Sequence, residues 1–330
     1  MPEAITFADI QAAADRIRGE AVRTPLLESD NLNALAGRRV LVKAECLQRT
    51  GSFKFRGAWN TVSALSAEAR AKGVIAYSSG NHAQGVALAA KLVNAPAVIV
   101  MPKDAPVMKI ENTKGYGAEV VLYDRYNESR EEIGEAIAAE RGLTLIRPFD
   151  EPMVMAGQGT CGLEIAEQAK AAAVERADVM VCTGGGGLIS GVAVALEGAA
   201  PGLRPRPAEP TGFDETRLSQ LSGKRERVDP AARSICDAIV SPMPGELTFP
   251  VTLRLAGPGL AVTDDEAKHA MALAWRHLKL VAEPGGAVAL AAALFRAEEI
   301  EGDAVICTIS GGNADPDVFA EALASYGSAG

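Results

Sequence analysis

The chain has 330 residues, 48% of them hydrophobic, and a net charge of −9. That length suits two domains or one large α/β unit with an ample core. The acidic balance argues against a nucleic-acid surface, and no apolar run of about 18 residues marks a membrane span.

The N-terminus, MPEAITFADIQ, lacks the basic and apolar regions of a signal peptide. Five scattered cysteines form no CxxC pair and read as thiols in a reducing, cytoplasmic setting. Three histidines make a His-rich metal site a poor expectation.

The first informative stretch is TGSFKFRG, residues 50–57. Lys54 sits between two phenylalanines, with Gly51 and Gly57 outside them. A lysine held in such a pocket loses solvation, and its pKa falls toward a usable amine. The alternative is an edge lysine whose stem passes the rings while its head reaches water. Further along, VIAY (74–77), AVIVM (97–101), EVVLY (119–123) and LTLI (143–146) read as strands. Helices are expected up to about 92, near 105–115 and near 128–141, which makes an open parallel unit. A helix near 157–174 leads to the strand DVMVCT (178–183), and DAVICTIS (303–310) is another buried strand. Residues 201–260 are rich in Pro, Arg and Gly and are expected to be a long loop region with short elements.

Three strand ends carry chemistry. VCTGGGGLISG places Gly184, Gly185, Gly186 and Gly187 between a strand and a helix, where backbone N–H groups crowd onto an anion. A dinucleotide fingerprint needs a third glycine where Ile189 or Ser190 stands, and no P-loop sequence occurs. A single phosphate monoester fits four glycines; a ligand-free tight turn is the alternative. SSGNHAQG (78–85) offers hydroxyls, an amide and helix N-terminal N–H groups to a carboxylate, or is an ordinary helix cap. ICTISGGN (306–313) puts Ser310 at the end of a buried strand, where open α/β sheets bind ligands. An activated lysine together with a phosphate cup points to pyridoxal phosphate.

In order and combination, GSFKFRGA, SSGNHAQG, AGQGT (156–160), GGGGLISG, EPGGAVALAA (283–292) and SGGN resemble the fold type II pyridoxal-phosphate enzymes. The nearest branch is that of threonine/serine dehydratases and serine racemases, and the resemblance spans about residues 5–325. It implies two open-sheet α/β domains of the tryptophan synthase β-like kind with the cofactor between them. Residues 1–48 with 150–330 form the large domain, and 49–149 the small, substrate-gripping one. By the same resemblance Lys54 carries the cofactor covalently and removes the α-proton, and Phe53 flanks the ring. Asn81 meets the phenolic oxygen, Gly184 to Gly187 and Leu188 wrap the phosphate, Glu283 lies beside the cofactor, and Ser310 faces the pyridine nitrogen. Ser78, Ser79, Asn81 and His82 surround the substrate carboxylate, and Ser79 is a second acid/base on the opposite face.

The activity so implied is β-elimination from L-threonine or L-serine, giving a 2-oxo acid and ammonia. Serine racemase and 3-hydroxyaspartate dehydratase are the alternatives within the class. A non-catalytic phosphometabolite-binding protein on the same fold is the alternative outside it. The resemblance also implies a Mg²⁺ or Ca²⁺ site at Glu209, the Phe213 carbonyl and Glu215, and a homodimer. Arg130 matches a position near the substrate in the racemases; it suits a second carboxylate, or a helix-surface pair with a neighbouring glutamate. Ala238 stands where the family has glycine after the aspartate, here Asp237. Only a short stretch follows SGGN, and no regulatory domain is expected there.

Overall fold

The computed structural model describes residues 4–78, 80–105 and 107–327. The strands are β1 (Leu26–Glu28), β2 (Arg39–Ala44), β3 (Val74–Tyr77), β4 (Ala97–Pro102), β5 (Glu119–Tyr123), β6 (Thr144–Leu145), β7 (Ala177–Cys182), β8 (Leu203–Pro210), β9 (Leu260–Val262) and β10 (Ala304–Ile309). They form a six-stranded sheet, β1-β2-β10-β7-β8-β9, and a four-stranded sheet, β5-β4-β3-β6. All pairings are parallel except β1 with β2. Parallel central strands are covered on both faces, and ADVMVC of β7 and AVICTI of β10 are accordingly buried throughout.

The helices are α1 (Phe7–Ile17), α2 (Asp30–Ala36), α3 (Lys54–Ser63), α4 (Ala67–Lys72), α5 (Asn81–Leu92), α6 (Val107–Gly115), α7 (Arg130–Arg141), α8 (Pro152–Ala171), α9 (Gly187–Ala199), α10 (Glu215–Ser222), α11 (Thr248–Leu255), α12 (Asp264–Leu278), α13 (Pro284–Phe295) and α14 (Pro316–Tyr326). None among the described residues is long and apolar enough to cross a membrane.

Two expectations change. Helix α8 begins at Pro152, with the Glu151 side chain accepting from Met153 N at 3.2 Å, and ends at Ala171. Proline suits the first turn of a helix, where its missing N–H has no partner to lose. The glycines inside α8 do not break it; they let helices touch, since a Cβ on Gly157 would lie 2.6 Å from the Gly57 Cα of α3 and one on Gly162 2.7 Å from the Ala195 Cβ of α9.

Residues 201–260 hold the short elements expected of them, but one, β8, is an eight-residue strand inside the larger sheet. They contain β8, α10, α11 and the start of β9. Prolines 205 and 207 hid β8 from the sequence reading, because proline removes ladder donors. Even-numbered residues of β8 face β7, as Thr183 N donating to Ala208 O at 2.9 Å shows. Pro205 and Pro207 therefore face the β9 side, and β9 pairs only from Ala208 onward. The missing donors fall where no strand needs them.

Candidate active site

The Lys54 segment is laced to the end of β10. Phe53 N donates to Ser310 O at 3.1 Å, Gly312 N donates to Gly51 O at 2.8 Å, and Ser52 bridges Gly311. Gly51 has φ 73°, and a Cβ there would lie 2.7 Å from Asn313 Oδ1, so glycine alone fits this crossing. Helix α3 starts at Lys54, placing its side chain in a cavity of about 250 Å³ at the C-terminal ends of β3 and β7. Lys54 Nζ donates to the Pro148 carbonyl at 2.8 Å and lies 5.2 Å from the Phe53 ring centre. Burial holds its pKa down to about 8, against the opposing pull of Glu283.

The glycine loop faces the same cavity. Gly184 to Gly187 and Leu188 line it, with Gly186 at φ 93° opening α9. Thr248 Oγ1 donates to the Gly185 carbonyl at 2.7 Å, and a Cβ on Gly185 would lie 2.4 Å from the Phe149 ring. The loop thus has no room for side chains and presents backbone at the N-terminus of a buried helix, a ready anion site.

Across the cavity, α5 starts at Asn81, so its first N–H groups also point outward. Ser78 Oγ accepts from Gly80 N at 3.2 Å. Asn81 Nδ2 donates to Glu283 Oε1, and Asn81 Oδ1 accepts from Asn313 Nδ2 at 2.8 Å. His82 is buried, with Nε2 at 2.9 Å from the Ile146 carbonyl. Ser310 is 3% exposed at the end of β10. Ser79 lies outside the described residues.

A larger cleft, about 580 Å³, opens at the opposite ends of β7 and β8. Arg204 there pairs with Asp178 at 2.6 Å and with Glu301 at 3.5 Å. It holds neither a lysine nor a glycine-rich helix start, so the reactive groups lie in the smaller cavity.

The family described as pyridoxal-phosphate dependent enzymes matches residues 17–312. The chain belongs to this family. It is 43% identical to an L-threo-3-hydroxyaspartate ammonia-lyase of Saccharomyces cerevisiae, over 96% of this chain and 95% of that one. It is 40% identical to an L-threonine ammonia-lyase of Thermotoga maritima, over 96% of this chain and 77% of that one. The solved structure of maize serine racemase superposes with a TM-score of 0.90, at 38% identity and 98% coverage of both chains.

The cofactor of this pyridoxal-phosphate enzyme is pyridoxal phosphate, and the residues present fit it. A lysine amine whose hydrogen-bond partner among the described residues is a backbone carbonyl, and a side-chain-free cradle at a helix start, face one cavity.

Several residues at this site had no sequence signal. Lys109 of α6 is 3% exposed at its side chain, pairs with Asp237 at 2.7 Å and stands 3.8 Å from Glu283 Oε2. Burial alone lowers its pKa, but Glu283 and Asp237 outweigh that and raise it. Burial raises the pKa of Glu283. Pro148, Phe149, Arg125 and Tyr77 also line the cavity. These contacts join segments far apart in the chain, and no local spacing announces them.

Glu209 and Glu215 are both fully buried. Glu209 accepts from Thr216 N and Arg217 N, each at 2.9 Å, and both Glu215 carboxylate oxygens lack a partner among the described residues. Burial pushes the Glu209 carboxyl up to about 8; burial and then Glu209 push Glu215 up to about 9. Phe213 lies in the same turn, its N–H donating to Pro210 O at 2.9 Å. Among the described residues no three His, Cys, Asp or Glu side chains gather for a metal, so a cation here needs carbonyls and water besides the two carboxylates. Unpartnered buried carboxylate oxygens fit that donor set.

Proposed function

We propose that the protein is an ammonia-lyase for a small 3-hydroxy amino acid, with 3-hydroxyaspartate preferred over threonine and serine. The sequence motifs alone put L-threonine and L-serine first. The observation that moves the preference is Arg130: its guanidinium lies 5.6 Å from the Tyr77 ring centre and lines the cavity together with Arg125. Glu131 holds Arg130 by Nε at 2.8 Å. A threonine methyl group has no use for a guanidinium, whereas a second carboxylate pairs with one. The yeast relative's name supports the same choice.

When bound, pyridoxal phosphate supplies an electron sink for a carbanion formed beside the substrate nitrogen. The first N–H groups of α5 hold the α-carboxylate, and Ser78 orients the loop that presents them. Gly184 to Gly187 and Leu188 would hold the phosphate, while Phe53, Asn81, Glu283 and Ser310 would surround the ring. The depressed pKa of Lys54 leaves its amine neutral enough, near pH 8, to take the α-proton. Phe149 and residues 237–242 wall the cavity on the side of the glycine loop, which limits water at the reacting carbons while the hydroxyl leaves with a proton as water. Glu209, the Phe213 carbonyl and Glu215 would hold a Mg²⁺ or Ca²⁺ ion that braces the end of β8. Residues 49–149 act as the smaller, gripping domain, and 1–48 with 150–330 as the larger one. A homodimer rests on the family expectation, and cytoplasmic placement is supported by five free cysteines.

The test is 2-oxo acid formation from L-Thr, L-Ser, D-Ser and the 3-hydroxyaspartates, with wild type and Arg130→Ala. The variant should lose roughly 10- to 100-fold in kcat/KM for 3-hydroxyaspartate and little for threonine. Equal turnover of threonine and the dicarboxylate by wild type, with no selective loss in the variant, would remove the dicarboxylate preference. Racemisation of serine without 2-oxo acid release would turn the reading to the racemase.

A further inference from the structure

Three consecutive residues after Ser310 reach back to the Lys54 segment and across to α5. Gly311 gives room: a Cβ there would run into Glu283 Oε1 and stand 3.1 Å from Asn81 Nδ2. Gly312 N donates to Gly51 O at 2.8 Å. Asn313 uses both hydrogens of one amide nitrogen. Its Nδ2 donates to Thr50 O at 2.7 Å and to Asn81 Oδ1 at 2.8 Å. Its own Oδ1 packs on Gly51, where a Cβ would lie 2.7 Å away.

Thr50 is the unusual partner. Its φ of 59° and ψ of 13° are left-handed, a region that a β-branched residue enters at a cost. Such strain persists where the surroundings over-determine the backbone. Here the surroundings include the bond from Asn313 to the Thr50 carbonyl.

The direction of these bonds follows from what each group can do. A backbone carbonyl only accepts, at any pH, so Asn313 must show Thr50 its nitrogen. The second hydrogen of that nitrogen meets Asn81, which must answer with Oδ1. Asn81 is 8% exposed and lines the cavity, and its Nδ2 is left to face Glu283 Oε1. Glu283 cannot set this direction alone. Burial raises its pKa, and a protonated carboxyl donates to an amide oxygen as readily as a carboxylate accepts from an amide nitrogen. With Asn81 turned over, its Nδ2 would stand against the Nδ2 of Asn313, donor against donor.

We propose that Asn313 is a positioning residue for Asn81: tied to the Thr50 carbonyl, it fixes the Asn81 amide so that the cavity meets a donor and not an acceptor. The use of that donor at the cofactor ring rests on the proposed function. The orientation itself does not, and is tested without cofactor.

The chain has eight asparagines, so ¹⁵N-asparagine labelling of the cofactor-free protein gives eight side-chain amides to assign. The Asn81 amide is the one missing in Asn81→Asp, and the Asn313 amide the one missing in Asn313→Asp. In the wild-type background, Glu283→Gln should move the Asn81 amide hydrogens. Asn313→Asp keeps the side-chain shape but offers only acceptors when ionised, so Asn81 should turn its nitrogen toward it. In that background Glu283→Gln should move the Asn81 hydrogens at least about threefold less, because they point away from the carboxylate. The Asn313 amide, with both hydrogens bonded, should exchange with water at least about tenfold more slowly than that of exposed Asn112. A Glu283→Gln shift of equal size in both backgrounds, or none in wild type, overturns the proposal, as does Asn313 exchange as fast as that of Asn112. The wild-type readouts stand even where Asn313→Asp does not fold. Adding cofactor to wild type should move the Asn81 amide as well. If it does not while the Glu283 comparison holds, Asn81's place at the ring fails and its orientation by Asn313 stands.

Discussion

Arg56 and Glu45 form a fully buried bidentate pair, Nε to Oε2 and Nη2 to Oε1, both at 2.7 Å. Glu164 takes the other side of the guanidinium at 2.7 Å and also accepts from the buried Lys43. The cluster ties β2 and the first turn of α3 to α8, two residues from Lys54. Removing one partner strands the other in a dry interior, so Arg56→Met or Glu45→Gln should cost about 3–5 kcal/mol in denaturant melts. Burial works against the Glu45 charge, but Arg56 outweighs it and holds the pKa below the ordinary carboxylate range. The stabilisation is therefore complete above that range and is lost as pH falls through the folded value. Acid melts of Glu45→Gln should lack this component of the wild-type decline. A variant as stable as wild type would mean that the pair contributes nothing net.

Lys54 carries the opposite sign. Its amine prefers the neutral form when folded, so the folded chain binds fewer protons than the unfolded one between about pH 8 and the ordinary lysine value. Stability rises with pH across that window, and below it the chain bears the cost of a buried charge. Cofactor-free Lys54→Met should then be more stable than wild type at pH 7, by roughly 1–3 kcal/mol. The same variant should show no borohydride-fixed cofactor and at least about a 10³-fold loss of turnover. A destabilised Lys54→Met would place the amine in a better solvated setting than its surroundings indicate.

The glycine loop is tested by one methyl group. A Cβ at Gly185 would stand 2.4–2.5 Å from three atoms of the Phe149 ring. Gly185→Ala should cost about 1–3 kcal/mol and weaken cofactor retention on dialysis. Phe149→Ala in the same chain should return much of the loss by making space. If the double variant retains cofactor no better than Gly185→Ala, the defect lies in the loop's backbone and not in the ring.

Legibility followed sequence distance. Lys54 between glycines, the four-glycine turn and Ser310 after β10 were readable because each is a local pattern at a strand or helix end. The lacing of Phe53 to Ser310 was not, though both motifs were in view, because no spacing reports a contact between residues so far apart. Pro148 supplies only a carbonyl and Ile146 likewise, so their service to Lys54 and His82 leaves no trace in residue type. Lys109 sits in a helix of ordinary composition, and only the fold brings it to Asp237 and Glu283. In β8 the signal misled: prolines read as loop, but their missing donors face the side where the β9 ladder has not yet begun.

Glu209 and Glu215 give the sharpest solution test. Without a cation, burial and mutual repulsion keep protons on the folded pair that the unfolded chain releases near the ordinary value. The folded state then binds more protons from the ordinary carboxylate pKa up to about 8 and about 9, and stability falls as pH rises through that window. A divalent cation takes the place of those protons and should level the slope. After chelation, Tm should drop by several degrees between about pH 6 and 9. Millimolar Mg²⁺ or Ca²⁺ should raise it more at the alkaline end than at the acid end. Glu215→Gln removes one of the two charges and both the slope and the cation response should shrink with it. A Tm indifferent to cation at every pH would leave the buried pair as a proton-sharing brace under β8, with no metal needed to explain the two unpartnered oxygens.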